Sequence, residues 1–399
     1  MKNKSGKTYE LRNRILFTLG VLVVFMAGKG ILLYGIDASD ITGRDAQEIM
    51  LSMLRGDRYQ QTVMALGIMP YINASIIVQV IASVRTADAR ARLSHHTLDR
   101  WIGWLTFAMA AAFAIYQAEH FAYRADAGNL SLVKVIVAAQ MTGGAMAIYF
   151  LCLENTKHGI GASLPPILLN ILDSAYEHVR IYSVSEYWMI WLLCGIAGIV
   201  TLIMENVTVK IPVQRVSVHN LHADKNYIAY KLNPIGVMPV MFATAVMAIP
   251  QLLFSGLSSI MPENEWMRYI AANLRTTQRL GIIVYLVILF VITIAFSFIM
   301  LSPGDTARQL QRNGDSIVDV YAGRKTIRYL SFRLFVLGLI SAAVQCVVMG
   351  ISLQMSFRQV IPSEFAMMPA TAMVLVSMIC SLAREIHVYY LYDTYRFIF

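Results

Sequence analysis

The chain has 399 residues, of which 57% are hydrophobic and 14% are charged, and its mean hydropathy is +0.57. Water-soluble domains carry about 25% charged residues, so this composition excludes an ordinary soluble protein and indicates a polytopic membrane protein. The net charge of +9 is therefore expected in basic cytoplasmic loops that face anionic lipid or an acidic partner, with no nucleic-acid partner.

Hydropathy predicts ten membrane-spanning helices, because each crossing needs about 20 mostly apolar residues. The fifth is the weakest, since it is short and contains Pro165, Pro166 and Asp173. The first has no small-residue cleavage site after it and is expected to remain as a span. The predicted spans are about 15–33, 65–84, 101–121, 131–151, 160–177, 187–204, 234–256, 280–301, 334–353 and 366–383.

Lysine and arginine predict the orientation of these spans, because they concentrate on the cytoplasmic side. An even number of spans puts both termini on one side. If that side is the cytoplasm, 22 of the 33 basic residues lie in cytoplasmic segments and 9 lie outside. We therefore expect both termini in the cytoplasm and the protein in the cytoplasmic membrane.

Two ten-residue strings repeat 169 positions apart: GIMPYINASI at 67–76 and GVMPVMFATA at 236–245. They share Gly, Met, Pro and Ala in register and begin one long apolar segment in each half. Membrane proteins whose halves repeat a proline-bearing broken helix usually form their pathway where the two copies meet. Chance similarity between two apolar helices is the alternative, since Gly and Pro are common in membrane spans.

Two predicted cytoplasmic loops are long. Loop 205–233 holds two β-branched or aromatic runs, 207–213 and 226–230, around a polar turn, which predicts a β-hairpin. Loop 302–333 is basic and opens with SPGD at 302–305, a helix-start signal. Basic projections of this kind suit a large soluble partner, although positive-inside loops alone explain the charge.

ALGIMPYINASIIVQ at 65–79 resembles the second-span signature of SecY, the protein-conducting channel family. Further similar segments follow in family order: RILFTLG at 14–20, GID at 35–37, HGIG at 158–161, KLNPIGVMP at 231–239 and the start of loop 302–333. The resemblance implies an all-α fold of ten transmembrane helices in two pseudo-symmetric five-helix halves. These would be 1–180, with spans one to five, and 181–399, with spans six to ten and both long loops.

The resemblance also implies a role for particular side chains. A narrow ring of flexible apolar residues blocks ions when the channel is idle and yields to a passing chain. By match to the family, the ring is Ile68, Ile72, Leu164, Leu168, Met241 and Met373. The plug that closes the pore from outside corresponds to about 54–64, beginning Leu54, Arg55, Gly56, Asp57, Arg58 and Tyr59. Its charges are costly to bury, so it is expected to lie high in the outer funnel or to seal less tightly.

The remaining implied sites are a lateral gate and a docking surface. Gln79, Gln117 and Thr244 match polar positions along the gate, where interhelical polar contacts are worth about 1 kcal/mol. The implied partners are a SecA-like ATPase motor, small SecE- or SecG-like subunits, unfolded substrates with signal sequences, and lipid. The residues implied for motor binding are Arg215, Lys225, Arg308, Arg312, Tyr321, Arg324 and Lys325.

Departures from the family pattern favour its accessory paralogue in certain Gram-positive bacteria. The chain is short, loop 205–233 lacks paired arginines near its tip, and Tyr321 stands where the family has an arginine important to the motor. That paralogue exports serine-rich glycosylated adhesins with an accessory SecA-like motor. The alternative within the family is the housekeeping SecY channel for general secretion and membrane insertion.

Chemistry of other classes finds little support in the sequence. No Gly-rich phosphate loop occurs, the four cysteines lack metal or redox spacing, and neither enzymatic activity nor a cofactor or metal is expected. A distant alternative is an ion-coupled transporter with inverted repeats, using Asp173 or Glu205 as relay carboxylates and Lys29 as counter-ion. Such a transporter should carry ionisable residues beside its broken helices, and the sequence around Pro70 and Pro239 has none.

Overall fold

The computed structural model describes residues 10–35, 62–84, 95–121, 123, 129–181, 187–215, 226–236, 238–260, 265–274, 276–321 and 323–395. The chain divides into two compact units. Unit 1 consists of Met1–Gln79, Leu93–Ser183 and Met378–Phe399, and unit 2 of Val80–Arg92 and Val184–Ser377.

Helices joined by short turns make up the described part of unit 1. Its helices in chain order are α1 (Glu10–Lys29), α2 (Met69–Val84), α3 (His95–His120), α4 (Leu130–His158) and α5 (Leu164–Ile181). The last turns of α2 are assigned to unit 2.

Unit 2 combines helices with a small sheet. Its elements are α6 (Trp188–Asn206), β1 (Thr208–Arg215), β2 (Tyr227–Lys231), α7 (Met238–Ile260), α8 (Glu265–Asn273), α9 (Arg279–Leu301), α10 (Pro303–Arg312), β3 (Asp315–Ile317), α11 (Arg324–Phe357), a 3-10 turn (Ser363–Met367) and α12 (Met368–Tyr395). The second part of α12, from Met378, belongs to unit 1.

Every predicted span corresponds to a helix. Within the described residues, seven helices are long and apolar enough to cross a membrane: α1, α3, α4, α6, α9, α11 and α12. The predicted second, fifth and seventh spans are α2, α5 and α7. Of these, α2 has 16 residues, α5 is apolar only over Leu164–Asp173, and α7 has 23 residues with Pro250 inside it.

Helices α3 and α4 pack through small side chains. Ala110, Ala114 and Ala118 recur at four-residue spacing on α3 and face a matching row on α4, which includes Val137 and Met141. Residues four apart share one face of a helix, and small ones let two backbones approach closely. Large apolar side chains such as Val23 and Trp104 remain exposed, as lipid-facing surfaces require.

The predicted β-hairpin is present, and the sheet has one more strand than predicted. β1 pairs antiparallel with β2, from Thr208↔Lys231 to Pro212↔Tyr227. β1 also pairs with β3, which comes from the second long loop, to give the order β2-β1-β3. The two basic loops are therefore parts of one structure, packed on an apolar cluster that consists of Ile211, Tyr230, Ala307, Ile317, Leu330, Leu334 and Leu337.

A buried hydrogen-bonded group joins α1, α4 and the turn before α5. Asn155 is fully buried, and its amide donates to the carbonyls of Ile160 (3.0 Å) and Ala162 (2.7 Å). Its oxygen accepts from the Thr18 hydroxyl at 2.9 Å, and that hydroxyl accepts from the Ile160 N–H at 2.9 Å. The side chain thus fixes the turn that leads into α5.

We expect Asn155→Ala to lower the free energy of unfolding by about 2–4 kcal/mol, because it leaves buried carbonyl groups without partners. The midpoint of thermal unfolding in detergent measures this loss. Thr156→Ala on the same helix is the control, since Thr156 is exposed and its hydroxyl bonds only within the helix, to the Cys152 carbonyl. Equal losses in the two variants would contradict this role for Asn155.

Candidate functional site

The described residues of the two repeated strings share a left-handed glycine and a helix start. Gly67 has φ +54° and Gly236 has φ +73°, a left-handed conformation that glycine accepts without steric cost. In both copies a helix begins two residues later, so that Met-Pro fills its first two positions. Proline is tolerated there because the first N–H groups of a helix have no intrahelical partner. Each unit therefore contains the same glycine turn before a proline-led helix.

Four of the six residues expected in the apolar ring lie in unit 1. Ile68 is 1% exposed and immediately precedes α2, and the N–H of Ile72 donates to its carbonyl at 3.1 Å. Leu164 and Leu168 lie one turn apart at the start of α5, and both are half-buried. Each pair thus lies on one face of its segment.

The other two expected ring residues lie in unit 2. Met241 is 8% exposed in the first turn of α7, and Met373 is 2% exposed near the start of α12. Met241 occurs three residues after the first residue of a helix that follows a glycine turn, much as Ile72 does in unit 1. That the six side chains form one ring stays a prediction.

The residues expected at the lateral gate are placed only in part. Gln117 is half-buried on α3, and Gln79 belongs to α2 but its side chain lies outside the described residues. Thr244 is buried on α7, and its hydroxyl donates to the Met241 carbonyl at 2.6 Å. The Thr244 hydroxyl hydrogen is therefore used within α7, and towards another helix the hydroxyl oxygen acts as a hydrogen-bond acceptor.

The segment expected to form the plug lies mostly outside the described residues, including Leu54, Arg55, Gly56, Asp57, Arg58 and Tyr59. Its end is described, and it is held firmly within unit 1. Thr62 forms an isolated antiparallel β-bridge with Leu32, and the Val63 N–H donates to the Ile31 carbonyl at 2.9 Å. A side chain at Gly144 would overlap the Val63 backbone, so this end packs directly on α4.

The residues expected to bind a motor surround the sheet of unit 2. Tyr321 is 77% exposed, and the Lys325 ammonium lies 4.7 Å from the centre of its ring. Arg324 is exposed beside Lys325 at the start of α11, and Arg308 and Arg312 are exposed on α10. Arg215 ends β1 with its side chain undescribed, and Lys225 lies outside the described residues. The described members are exposed, and Lys325 contacts the Tyr321 ring.

Glu205, a relay carboxylate in the transporter alternative, is buried among polar contacts in unit 2. It is 1% exposed, and its carboxylate bonds to Lys231 and Ser377. A Cβ added at Gly236 would lie 3.0 Å from it, so an ionisable group does adjoin the second broken helix. Lys29, the expected counter-ion to Asp173 or Glu205, pairs with Asp173 in unit 1 at 3.5 Å. The charge of Glu205 at this end of α6 was the only sequence signal of its importance.

The family model for SecY matches residues 62–383. The chain belongs to the SecY family. This confirms the resemblance read from the sequence, and the matched residues include both glycine turns.

Individual comparisons agree with the family. The chain is similar to the accessory Sec system protein translocase subunit SecY2 of Leuconostoc gelidum subsp. gasicomitatum, with 24% identity over 92% of each protein. It is also similar to the protein translocase subunit SecY of Streptococcus gordonii, with 25% identity over 82% of this chain and 81% of that protein.

A solved structure described as a protein-conducting channel has the same fold. Its TM-score is 0.66 at 18% identity, and the match covers 98% of this chain and 95% of that one. The predicted ten-helix membrane fold of the SecY family is confirmed.

Proposed function

We propose that this chain is the central channel subunit of a protein translocase, passing unfolded secretory polypeptides across the cytoplasmic membrane. The observation that carries this proposal is the SecY family match over residues 62–383. SecY-family proteins are translocation channels rather than enzymes, so the energy for transport comes from a partner ATPase or the membrane potential. The basic bias of the predicted cytoplasmic loops supports cytoplasmic N- and C-termini.

Two pseudo-symmetric halves, 1–180 and 181–399, form the pathway in this proposal. The glycine turns support it, because each half contributes one Met-Pro-led helix with apolar side chains in its first turns. The ring then consists of Ile68, Ile72, Leu164, Leu168, Met241 and Met373. Uncharged side chains neither bind nor repel the charged residues of a passing polypeptide, and an empty apolar constriction dewets. Its methionines adapt to substrates of different size, because they are unbranched.

The segment 54–64 closes this pathway from outside, and Gln79, Gln117 and Thr244 line the lateral gate through which signal sequences reach lipid. Polar contacts worth about 1 kcal/mol bias such a gate toward closure without locking it. Small SecE- or SecG-like subunits complete the complex in the membrane.

The accessory branch of the family is favoured over the housekeeping branch. The SecY2 relative aligns over 92% of both proteins, whereas the SecY relative aligns over about four-fifths of each. The motor-facing surface also differs from the family pattern, with exposed Tyr321 in place of an arginine. We infer an accessory SecA-like motor as the partner at this surface and serine-rich glycosylated adhesins as the substrates.

Crosslinking to a stalled secretory chain tests the channel. In a variant whose four native cysteines are replaced, single cysteines at Ile72 and Met241 should crosslink to a polypeptide arrested in transit. A cysteine at Val23 is the control, because that side chain is 68% exposed on the outer surface of α1. Crosslinks at Val23 alone, or at none of the three positions, would contradict the proposal.

The branch of the family is tested separately by complementation. A cell depleted of its housekeeping SecY should not recover general secretion when this chain is supplied, whereas adhesin export should depend on it together with the accessory motor. Full recovery of general secretion would favour the housekeeping assignment.

A further inference from the structure

A buried carboxylate lies where the sheet, α6 and the start of α7 meet in unit 2. Glu205, near the end of α6, is 1% exposed. One of its oxygens lies 3.0 Å from the Lys231 ammonium, and the other accepts a 2.8 Å hydrogen bond from the Ser377 hydroxyl. A buried carboxylate without such partners would be strongly unfavourable, so both contacts fix its position.

The lysine connects this carboxylate to the sheet. Lys231 is the last residue of β2 and pairs with Thr208 on β1. The backbone hydrogen bonding continues past β2 into the segment that leads to α7, called here the connector. The Leu232 N–H donates to the Val207 carbonyl at 2.9 Å, and the Asn233 N–H donates to the Met204 carbonyl at 3.2 Å. A displacement of the sheet therefore moves Lys231 and the chain that follows it together.

The other side of the carboxylate faces the glycine turn. A Cβ at Gly236 would lie 3.0 Å from both the Glu205 carboxylate and the Ser377 hydroxyl, so the turn fits against this pair without spare room. The Gly236 carbonyl accepts from the Gln345 amide at 3.2 Å. Gln345 is 1% exposed and also accepts from the Thr293 hydroxyl at 3.2 Å.

The connector between the sheet and α7 is thus held from several helices. Asn233 is 3% exposed and accepts from the Ser341 hydroxyl on α11 at 2.9 Å. Only six residues separate Lys231 from Met238, the first residue of α7. Polar groups satisfied on every side in a low-dielectric interior favour one arrangement over looser alternatives.

We infer that Glu205 is a positioning residue that couples the basic sheet to the start of α7 through Lys231 and Gly236. With the Lys231 contact intact, α7 holds Met241 in the arrangement of this structure. When a partner displaces the sheet and Lys231 leaves, the carboxylate loses its contact with the Lys231 ammonium and that arrangement is destabilised. This inference rests on the proposed function, because α7 carries a residue of the proposed ring.

The inference is tested on the full chain in proteoliposomes by release of a trapped small dye, with and without the SecA-like motor and ATP. Lys231→Met should raise the release of dye without motor roughly tenfold. It removes a hydrogen bond between two charged groups, and such bonds are stronger than those between neutral groups. The motor should then change the leak by a smaller factor than in the unmodified chain, while its affinity for the vesicles stays the same. Lys210→Met is the matched control: it removes the same charge from β1, where Lys210 lies over the Tyr227 ring.

The double variant Glu205→Gln with Lys231→Met should leak less than Lys231→Met alone, because it also removes the carboxylate charge that Lys231 contacted. A merely structural role would lower channel quantity and reduce every readout in proportion. Equal leak in Lys231→Met and Lys210→Met, or a double variant that leaks more than either single variant, would overturn the inference. If Lys231→Met fails to accumulate, Glu205→Gln alone decides: a several-fold rise in leak supports the coupling, and unchanged leak refutes it.

An Ile72→Ser variant in the same vesicles distinguishes failure of the Glu205 coupling from failure of the proposed channel. A raised leak in Ile72→Ser with unchanged leak in the Glu205 and Lys231 variants refutes only the coupling. Unchanged leak in Ile72→Ser, together with missing crosslinks at Ile72 and Met241, refutes the proposed channel itself.

Discussion

Replacing Asp173 with leucine should destabilise the protein by about 3–5 kcal/mol, because it removes the carboxylate that contacts the buried Lys29 ammonium. Lys29 is 3% exposed at the end of α1, and its ammonium lies 3.5 Å from the Asp173 carboxylate on α5. The Phe25 ring lies 5.2 Å from the same ammonium. The loss is measured as the shift in the thermal unfolding midpoint in detergent and as a lower amount of the protein in membranes.

The double variant Lys29→Met with Asp173→Leu should recover most of this loss, because it removes both charges and fills the same space with apolar groups. The exposed pair of Lys157 and Glu154 is the control. Its atoms are closer, at 2.7 Å, yet its side chains are 61% and 49% exposed. Glu154→Gln should therefore leave stability unchanged within error, since water screens this pair. Equal losses of stability at both pairs would contradict the expectation that burial, rather than the distance between the charges, determines how much stability an ion pair contributes.

Helix positions were predictable because hydropathy reports the apolar core of each crossing. The predicted fourth span, 131–151, covers α4 from its second residue, but the helix continues to His158 and ends where the Gly159 N–H closes its last turn on the Asn155 carbonyl. Hydropathy gives no signal for such an extension, since the extra turns lie beyond the apolar run. Similarly, α2 begins at Met69 rather than at 65, because residues 63–68 form turns around Gly67.

The third strand and the contacts of Glu205 were not predictable. β3 has three residues, too few for an alternating pattern, and its partner on β1 lies about a hundred residues earlier in the chain. Lys29 and Asp173 are 144 residues apart, and each alone is an isolated charge in an apolar segment. The sequence offered Lys29 as counter-ion to Asp173 or Glu205, and the fold pairs it with Asp173. The contacts that Glu205 makes with Lys231 on β2 and Ser377 on α12 were not predicted.

The repeated glycine turn is where sequence pattern and structure agree most closely. Shared letters at 67–76 and 236–245 predicted equivalent elements in the two halves, and both glycines adopt positive φ before a Met-Pro-led helix. The contacts of the second turn could not be predicted from these two segments, because they are made by Glu205 and Ser377 elsewhere in the sequence. The local geometry is therefore encoded in the repeat, and the surrounding polar contacts are specific to unit 2.

Gly236→Ala should lower the free energy of unfolding by about 2–4 kcal/mol, through two separate effects. A left-handed residue with a Cβ costs about 1–2 kcal/mol, and Gly236 has φ +73°. The new methyl group would also lie 3.0 Å from the Glu205 carboxylate and the Ser377 hydroxyl, which must move apart to admit it. Thermal unfolding in detergent measures the sum of the two.

Gly314→Ala isolates the first effect. Gly314 has φ +74°, almost the same as Gly236, but among the described residues, its chain neighbours aside, no atom lies within 4 Å of the position its Cβ would take. It should therefore lose only about 1–2 kcal/mol, and the difference between the two variants is the cost of disturbing the Glu205 pair. That difference should shrink when Ser377→Ala is added to Gly236→Ala, because the smaller side chain yields space on one side of the turn. Equal losses at Gly236 and Gly314 would mean that the backbone alone requires glycine, and that the carboxylate does not hold the start of α7.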